Sequence, residues 1–183
     1  KDLKPQLKSL GIKLVCTQEF QINYIGFSFT NKTLAENIKL RKAISKAYNI
    51  EARIIHSNYS LKTVNGPIPP GVAGYDENFL NENLVYDLNE AKRLLAEAGF
   101  PDGKDPISGK QLEFDFDLGD TSPYHRQLAE LMVDDMKKIG IKINPILNNR
   151  PKFFQKLSEG KMQLFRLSWV GDYPDAENFL QLF

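Results

Sequence analysis

Two acids share one turn near the end of the sequence, Asp172 and Asp175, with Trp169 and Tyr173 beside them. They follow a mostly apolar run, Met162 to Trp169, that Gly171 and Pro174 interrupt. The pattern predicts a short buried strand, an abrupt turn and then a helix start capped by Asp175. An acid just past the carboxyl end of a buried strand is where α/β proteins tend to place ligand contacts. The plainer account of Asp172 is a turn residue bonding its own backbone.

Other chemistry finds less support. His56 and His125 are the two histidines, neither in a recognisable nucleophile setting, and no GxSxG occurs. Phosphate-binding glycine loops are absent, since Gly71-Val72-Ala73-Gly74 lacks the GxxxxGK[ST] and GxGxxG spacings. Cys16 is the single cysteine, so it has no partner for a disulfide or a CxxC site. Its apolar neighbours favour a buried small hydrophobe. Glu113, Asp115 and Asp117 alternate along one strand face without any further ligand cluster, which predicts a solvated face rather than a cation site. No metal, no cofactor and no enzyme are expected.

The 183 residues suffice for one sizeable core or two small ones. With 42% hydrophobic and 26% charged residues, the composition is that of an ordinary soluble globular chain. A formal net charge of +1, with no basic block, leaves nucleic-acid binding without its electrostatic footprint. No apolar run approaches a membrane span, and no signal-peptide pattern opens the chain. Both ends are expected to be cuts through a larger protein, so residues 1–183 read as one lobe of it.

The elements that must position the turn follow from periodicity. Strands are expected at Ile12 to Thr17 and Asn23 to Phe29, and one helix from Leu34 to Tyr48 with an apolar stripe of Leu40, Ala43, Ile44 and Ala47. A short helix follows at Ile50 to Ile55. Leu61 to Asp76 carries Gly-Pro-Ile-Pro-Pro-Gly and is irregular. Asp87-Leu88-Asn89-Glu90 is a capping box opening a helix that Gly99 closes. Leu112, Phe114, Phe116 and Leu118 then form the apolar face of a strand. Ser122 caps and Pro123 opens the longest helix, which ends at Gly140. A strand from Ile141 to Ile146, a helix from Pro151 to Ser158 and the strand from Met162 to Trp169 complete an α/β alternation.

Specific residues add a resemblance. Arg41-Lys42-Ala43-Ile44-Ser45-Lys46-Ala47 resembles the Arg-x-Ala-hydrophobic-x-x-Ala helix of the dipeptide and oligopeptide solute-binding proteins of ABC importers, family 5. Asn65-Gly66-Pro67-Ile68-Pro69-Pro70-Gly71 is similar to a loop of that family, and the stretch from Tyr86 through Ala96-Glu97-Ala98-Gly99-Phe100 to one of its helices. The helix and strand ending Lys138-Ile139-Gly140-Ile141-Lys142-Ile143 are similar too. Trp169-Val170-Gly171-Asp172-Tyr173-Pro174-Asp175 matches the family's Trp-x-x-Asp-Tyr-Pro-Asp turn.

The resemblance implies the large, C-terminal-type lobe of a type II periplasmic binding protein fold. It implies peptide ligands, ABC permease subunits as partners, and a place in the periplasm or outside the cytoplasmic membrane. Membrane attachment would come only through an anchor or permease beyond this chain, as in a lipoprotein. It gives Asp172 the α-ammonium of a bound peptide, and offers Arg166 either Asp172 or a ligand carboxylate. Trp169 and Tyr173 would pack on the ligand or hold the turn. Ala176 stands where many relatives have proline. Members of the family that bind nickel chelates, oligosaccharides or haem keep a non-peptide solute open. A receptor or scaffold role without transport is the reading from another class.

Overall fold

The structure is a computed structural model and describes residues 4–15 and 17–182. Cys16, expected to be a buried hydrophobe, lies outside the described residues. The elements run α1 (Pro5–Ser9), β1 (Gln21–Phe27), α2 (Lys32–Glu36), α3 (Ile38–Ala47) and α4 (Ile50–His56). Then follow α5 (Leu88–Glu97), β2 (Glu113–Leu118), α6 (Pro123–Lys137), β3 (Lys142–Leu147), α7 (Arg150–Ser158), β4 (Leu164–Val170) and α8 (Glu177–Leu180). After residue 86 the expected alternation of helix and strand is what forms.

The four strands make one mixed sheet in the order β1-β4-β2-β3. β2 lies parallel to both β3 and β4, while β1 closes the far edge of β4 antiparallel, with Ile22 opposite Trp169 and Ile25 opposite Arg166. Gly26 faces Phe165, whose ring lies so close that a Cβ on Gly26 would meet it at 2.2 Å. The glycine lets that ring cross the strand.

Side chains alternate between the two faces of β2. Phe114, Phe116 and Leu118 join Leu40 and Ile44 of α3, Leu94 and Leu95 of α5, and Leu128, Met132 and Met136 of α6 in the main core. Each such fully buried side chain contributes about 1.5–3 kcal/mol relative to leaving it exposed. On the opposite face, Asp117 meets Lys156 of α7. α6 and α7 therefore pack on opposite faces of the sheet.

Asp117 corrects an expectation. It is not on a solvated face but fully buried, with Oδ1 held by Lys156 and by Asn148 Nδ2 at 2.8 Å. An inner strand of a parallel sheet is covered on both faces, so its second row of side chains is enclosed even when charged. Glu113, at the strand's open end, stays exposed and pairs with Lys142 at 2.9 Å.

Two further expectations change. Residues 12–15 form no strand, and Ile12, Leu14 and Val15 are exposed. β-branched residues alone do not make a strand without a partner to pair with. The helix expected from Leu34 to Tyr48 is two, parted at Asn37, whose φ of −115° and ψ of 88° are non-helical. Asn37 instead caps α3, accepting from Leu40 N at 3.0 Å while donating to Ala98 O at 2.8 Å.

At Asp87, half of the capping box forms: Oδ1 accepts from the N–H groups of Asn89 and Glu90, each at 3.0 Å. Glu90 turns away to Arg93. Ser122 makes no cap bond with its side chain. Between α4 and α6 a buried ion pair, Arg53 with Asp135, is extended by Lys138 at 3.0 Å and by Tyr48, whose ring centre lies 4.0 Å from the guanidinium.

Candidate functional site

β4 runs through the interior of the sheet and delivers the turn after it to the surface. The indole N–H of Trp169 donates to Asn178 Oδ1 at 2.8 Å, tying the strand to α8. Phe179, fully buried, packs with Ile22 and Val72 under the same turn. Gly171 N donates to Phe20 O at 2.7 Å, and a Cβ there would strike Phe179 at 2.7 Å. These contacts hold the turn from below.

Within the turn, the two acids divide. Asp175 Oδ1 accepts from Glu177 N at 2.9 Å and its carbonyl accepts from Asn178 N at 3.2 Å. It bonds the backbone at the start of α8 from one residue ahead of the N-cap position, which Ala176 occupies. Asp172 is exposed and, among the described residues, its carboxylate has no hydrogen-bond or ion-pair partner. The backbone-bonding role belongs to Asp175. Tyr173 is 47% exposed, so its ring is open to a partner, whereas Trp169 is half-buried and engaged.

Arg166 does not pair with Asp172. Its Nη2 donates to Asn23 Oδ1 of β1 at 2.6 Å. Arg166 also lines a cavity of about 230 Å³ together with Gly119, Asp120, His125, Arg150, Phe153 and Ser168. The cavity lies at the carboxyl end of β2. There the chain leaves toward α6 on one face, while α7 packs on the other. A crevice at such a switch point is where open α/β sheets bind ligands. Gly119 keeps its wall open: a Cβ would meet the Phe153 ring at 3.1 Å. Phe153 and Phe154 meet edge to face, with ring centres 5.6 Å apart.

Two arginines, one acid and one histidine line the cavity. Burial lowers the His125 pKa below its ordinary value, the Arg166 charge lowers it further, and Asp120 opposes both. His125 Nδ1 lies 3.0 Å from Ser122 Oγ and 3.6 Å from Asp120 Oδ1. His125 is also held from behind, in edge contact with Tyr124, which stacks on His56 at 4.6 Å. Asp120 accepts from Ser122 N at 2.6 Å, and that bond leads the effects holding its carboxyl below the usual range.

The structure thus brings Arg166 together with residues the motifs did not single out, His125, Arg150 and Asp120. It leaves Asp172 and Tyr173 on the adjoining turn. The missed residues do carry a signal. His125 and Arg150 each stand in the first turn of a helix that follows a strand parallel to its neighbours, the position ligand contacts favour in such sheets. No helix among the described residues is long and apolar enough to cross a membrane.

Known proteins share this fold. The chain is 31% identical over 185 residues to heme-binding protein A of Haemophilus influenzae, covering 98% of this chain and 32% of that protein. It is 26% identical over 186 residues to the dipeptide-binding protein of Escherichia coli, covering 97% of this chain and 32% of that one. In three dimensions it is similar to the dipeptide binding protein from Pseudoalteromonas sp. SM9913 in complex with Met-Leu. The TM-score is 0.75 at 25% identity, over 96% of this chain and 34% of that one. The chain spans about a third of the length of these relatives. Each relative is named for what it binds, and the architecture is that of type II periplasmic binding proteins. The profile of the bacterial extracellular solute-binding proteins, family 5 Middle, matches residues 1–183, and the chain belongs to that family.

Proposed function

We propose that this chain is part of the binding component of an ABC importer that captures peptides outside the cytoplasmic membrane. The observation that carries this reading is Asp172: an exposed carboxylate without a partner, on a turn whose backbone needs are already met by Asp175. An α-ammonium group, with a pKa of about 7.7–8.0, is largely charged at neutral pH. A carboxylate that meets it reads a feature every peptide carries. Arg166 lies six residues earlier on β4, and an extended strand rises about 3.3 Å per residue. An extended peptide laid along β4 would reach from Asp172 toward the cationic cavity, where Arg166 takes a carboxylate by a bidentate bond. Tyr173 offers a ring to the ligand, while Trp169 serves the site by holding the turn. Backbone hydrogen bonds and water-filled side-chain pockets would supply breadth.

Two lobes closing about a hinge would enclose the ligand and present it to the permease subunits. The place of action is then the periplasm or the outer face of the cytoplasmic membrane. In the full-length protein, Asp172→Ala is expected to weaken peptide binding by about 3–5 kcal/mol, the cost of leaving a charge enclosed and unpaired. Calorimetry that finds affinity unchanged overturns the role of Asp172.

A second reading rests on a specific likeness, the 31% identity to a heme-binding protein. The exposed Phe154 beside the cavity suits a flat apolar solute with acidic substituents. Mass spectrometry of the ligand released from purified full-length protein separates the two readings.

A further inference from the structure

Arg166 accounts for one ligand carboxylate, yet the cavity holds a second guanidinium. Arg150 opens α7 and reaches the cavity from the face of the sheet opposite α6. Among the described residues neither arginine has a carboxylate within 4.0 Å. Arg53 pairs with Asp135 and Arg93 with Glu90 and Glu97, while Arg41 and Arg126 spend their N–H groups on backbone carbonyls; Arg150 and Arg166 are the two that line the cavity. The cavity's own acid, Asp120, is engaged by Ser122 N and faces His125 rather than forming an ion pair with either arginine. Arg150 feels Asp120 only as a through-space charge.

The arginine pair is more than one carboxylate needs. A guanidinium has a planar fork that matches one carboxylate bidentately, so two forks from different elements present two separate sets of donors. The cavity, about 230 Å³ and walled by Phe153, has volume for a short aliphatic stem between two acidic groups. Charge also balances. Arg150 and Arg166 outweigh Asp120 by one, and a proton taken up by His125 would raise that to two, the charge of a dianion. Protonation is what an arriving anion favours.

We propose that Arg150 is a specificity-determining residue that selects ligands whose bound end carries two carboxylates, as does a peptide ending in an acidic residue. One carboxylate sits on Arg166 and the other on Arg150, with the connecting methylene groups against Phe153. This rests on the reading of the protein as a peptide binder.

The test is calorimetry on the full-length protein with isosteric pairs, five- and six-residue alanine peptides ending in Glu against the same peptides ending in Gln, long enough at about 3.3 Å per residue to reach from Asp172 to the cavity. The acidic member of at least one pair is expected to bind about tenfold or more tightly, a difference of about 1.4 kcal/mol. Arg150→Gln is expected to bring that ratio to about one, and Arg150→Lys to keep part of it, because a point charge replaces the fork. A ratio near one in the unaltered protein, or a ratio that survives Arg150→Gln, overturns the inference and leaves the peptide reading standing. Failure of all four peptides to bind overturns both.

Discussion

His125 is the cavity residue whose charge changes nearest neutral pH, and the sign of its effect follows from its surroundings. Burial and Arg166 hold its pKa below the ordinary value, so folding favours the neutral ring. Above the unfolded value both states are neutral and stability is unaffected. As pH falls through that value toward the folded one, the unfolded chain takes up the proton first and stability declines. Anion binding acts in the opposite sense, since a negative ligand favours the protonated ring. Affinity for an acidic ligand is therefore expected to rise as pH falls through the pKa of His125 in the free protein. An NMR titration of the His125 ring with and without bound ligand checks this, and a midpoint unmoved by an anionic ligand contradicts it.

Asp117 makes the other residue-scale prediction. Lys156→Met leaves a buried carboxylate without its counter-charge, a change expected to cost about 3–5 kcal/mol in denaturant unfolding. Adding Asp117→Asn to that variant is expected to recover much of the loss. The turn that carries Asp172 was legible in the sequence because its signals are local, six neighbours in one stretch. Asp117 was not, because the cover over its face comes from α7, thirty-odd residues later.

At the scale of elements, caps and glycines set the boundaries. Asn31, Asn37, Asn49, Asp87 and Asn149 each accept a backbone N–H at a helix start. Asp87→Ala is expected to destabilise by about 1 kcal/mol, read as a lower unfolding midpoint. Gly26→Ala would drive a methyl group into the Phe165 ring, and a cost of about 1–3 kcal/mol is expected from the forced repacking. Most of these elements were readable from periodicity, including every strand and helix after residue 86. The break at Asn37 was hidden because apolar spacing continues across it, and a cap shows itself only when its side chain has turned back on the chain. Residues 12–15, expected to begin a strand, show the converse: apolar composition without a pairing edge. The cavity fell between these two kinds of signal. Its residues come from a strand end, two helix starts and the middle of β4, and no single window of sequence contains them.

For the whole molecule, a ligand enclosed by two lobes gives up about half its contacts when one lobe stands alone. On the proposed two-lobed reading, titration of the 183-residue chain is expected to show much weaker binding than the full-length protein, and equal affinity would place the whole site within these residues. β4, the strand that carries Arg166, is also the last of the described strands in sequence and yet lies between β1 and β2. During synthesis, β1 and the β2–β3 pair must each wait with an open edge until residues 164–170 emerge. An open edge invites pairing with other chains. The strand that carries Arg166 is thus also the keystone of assembly, and a lesion in it that leaves Arg166 and the following turn untouched would still be expected to lower the yield of folded protein.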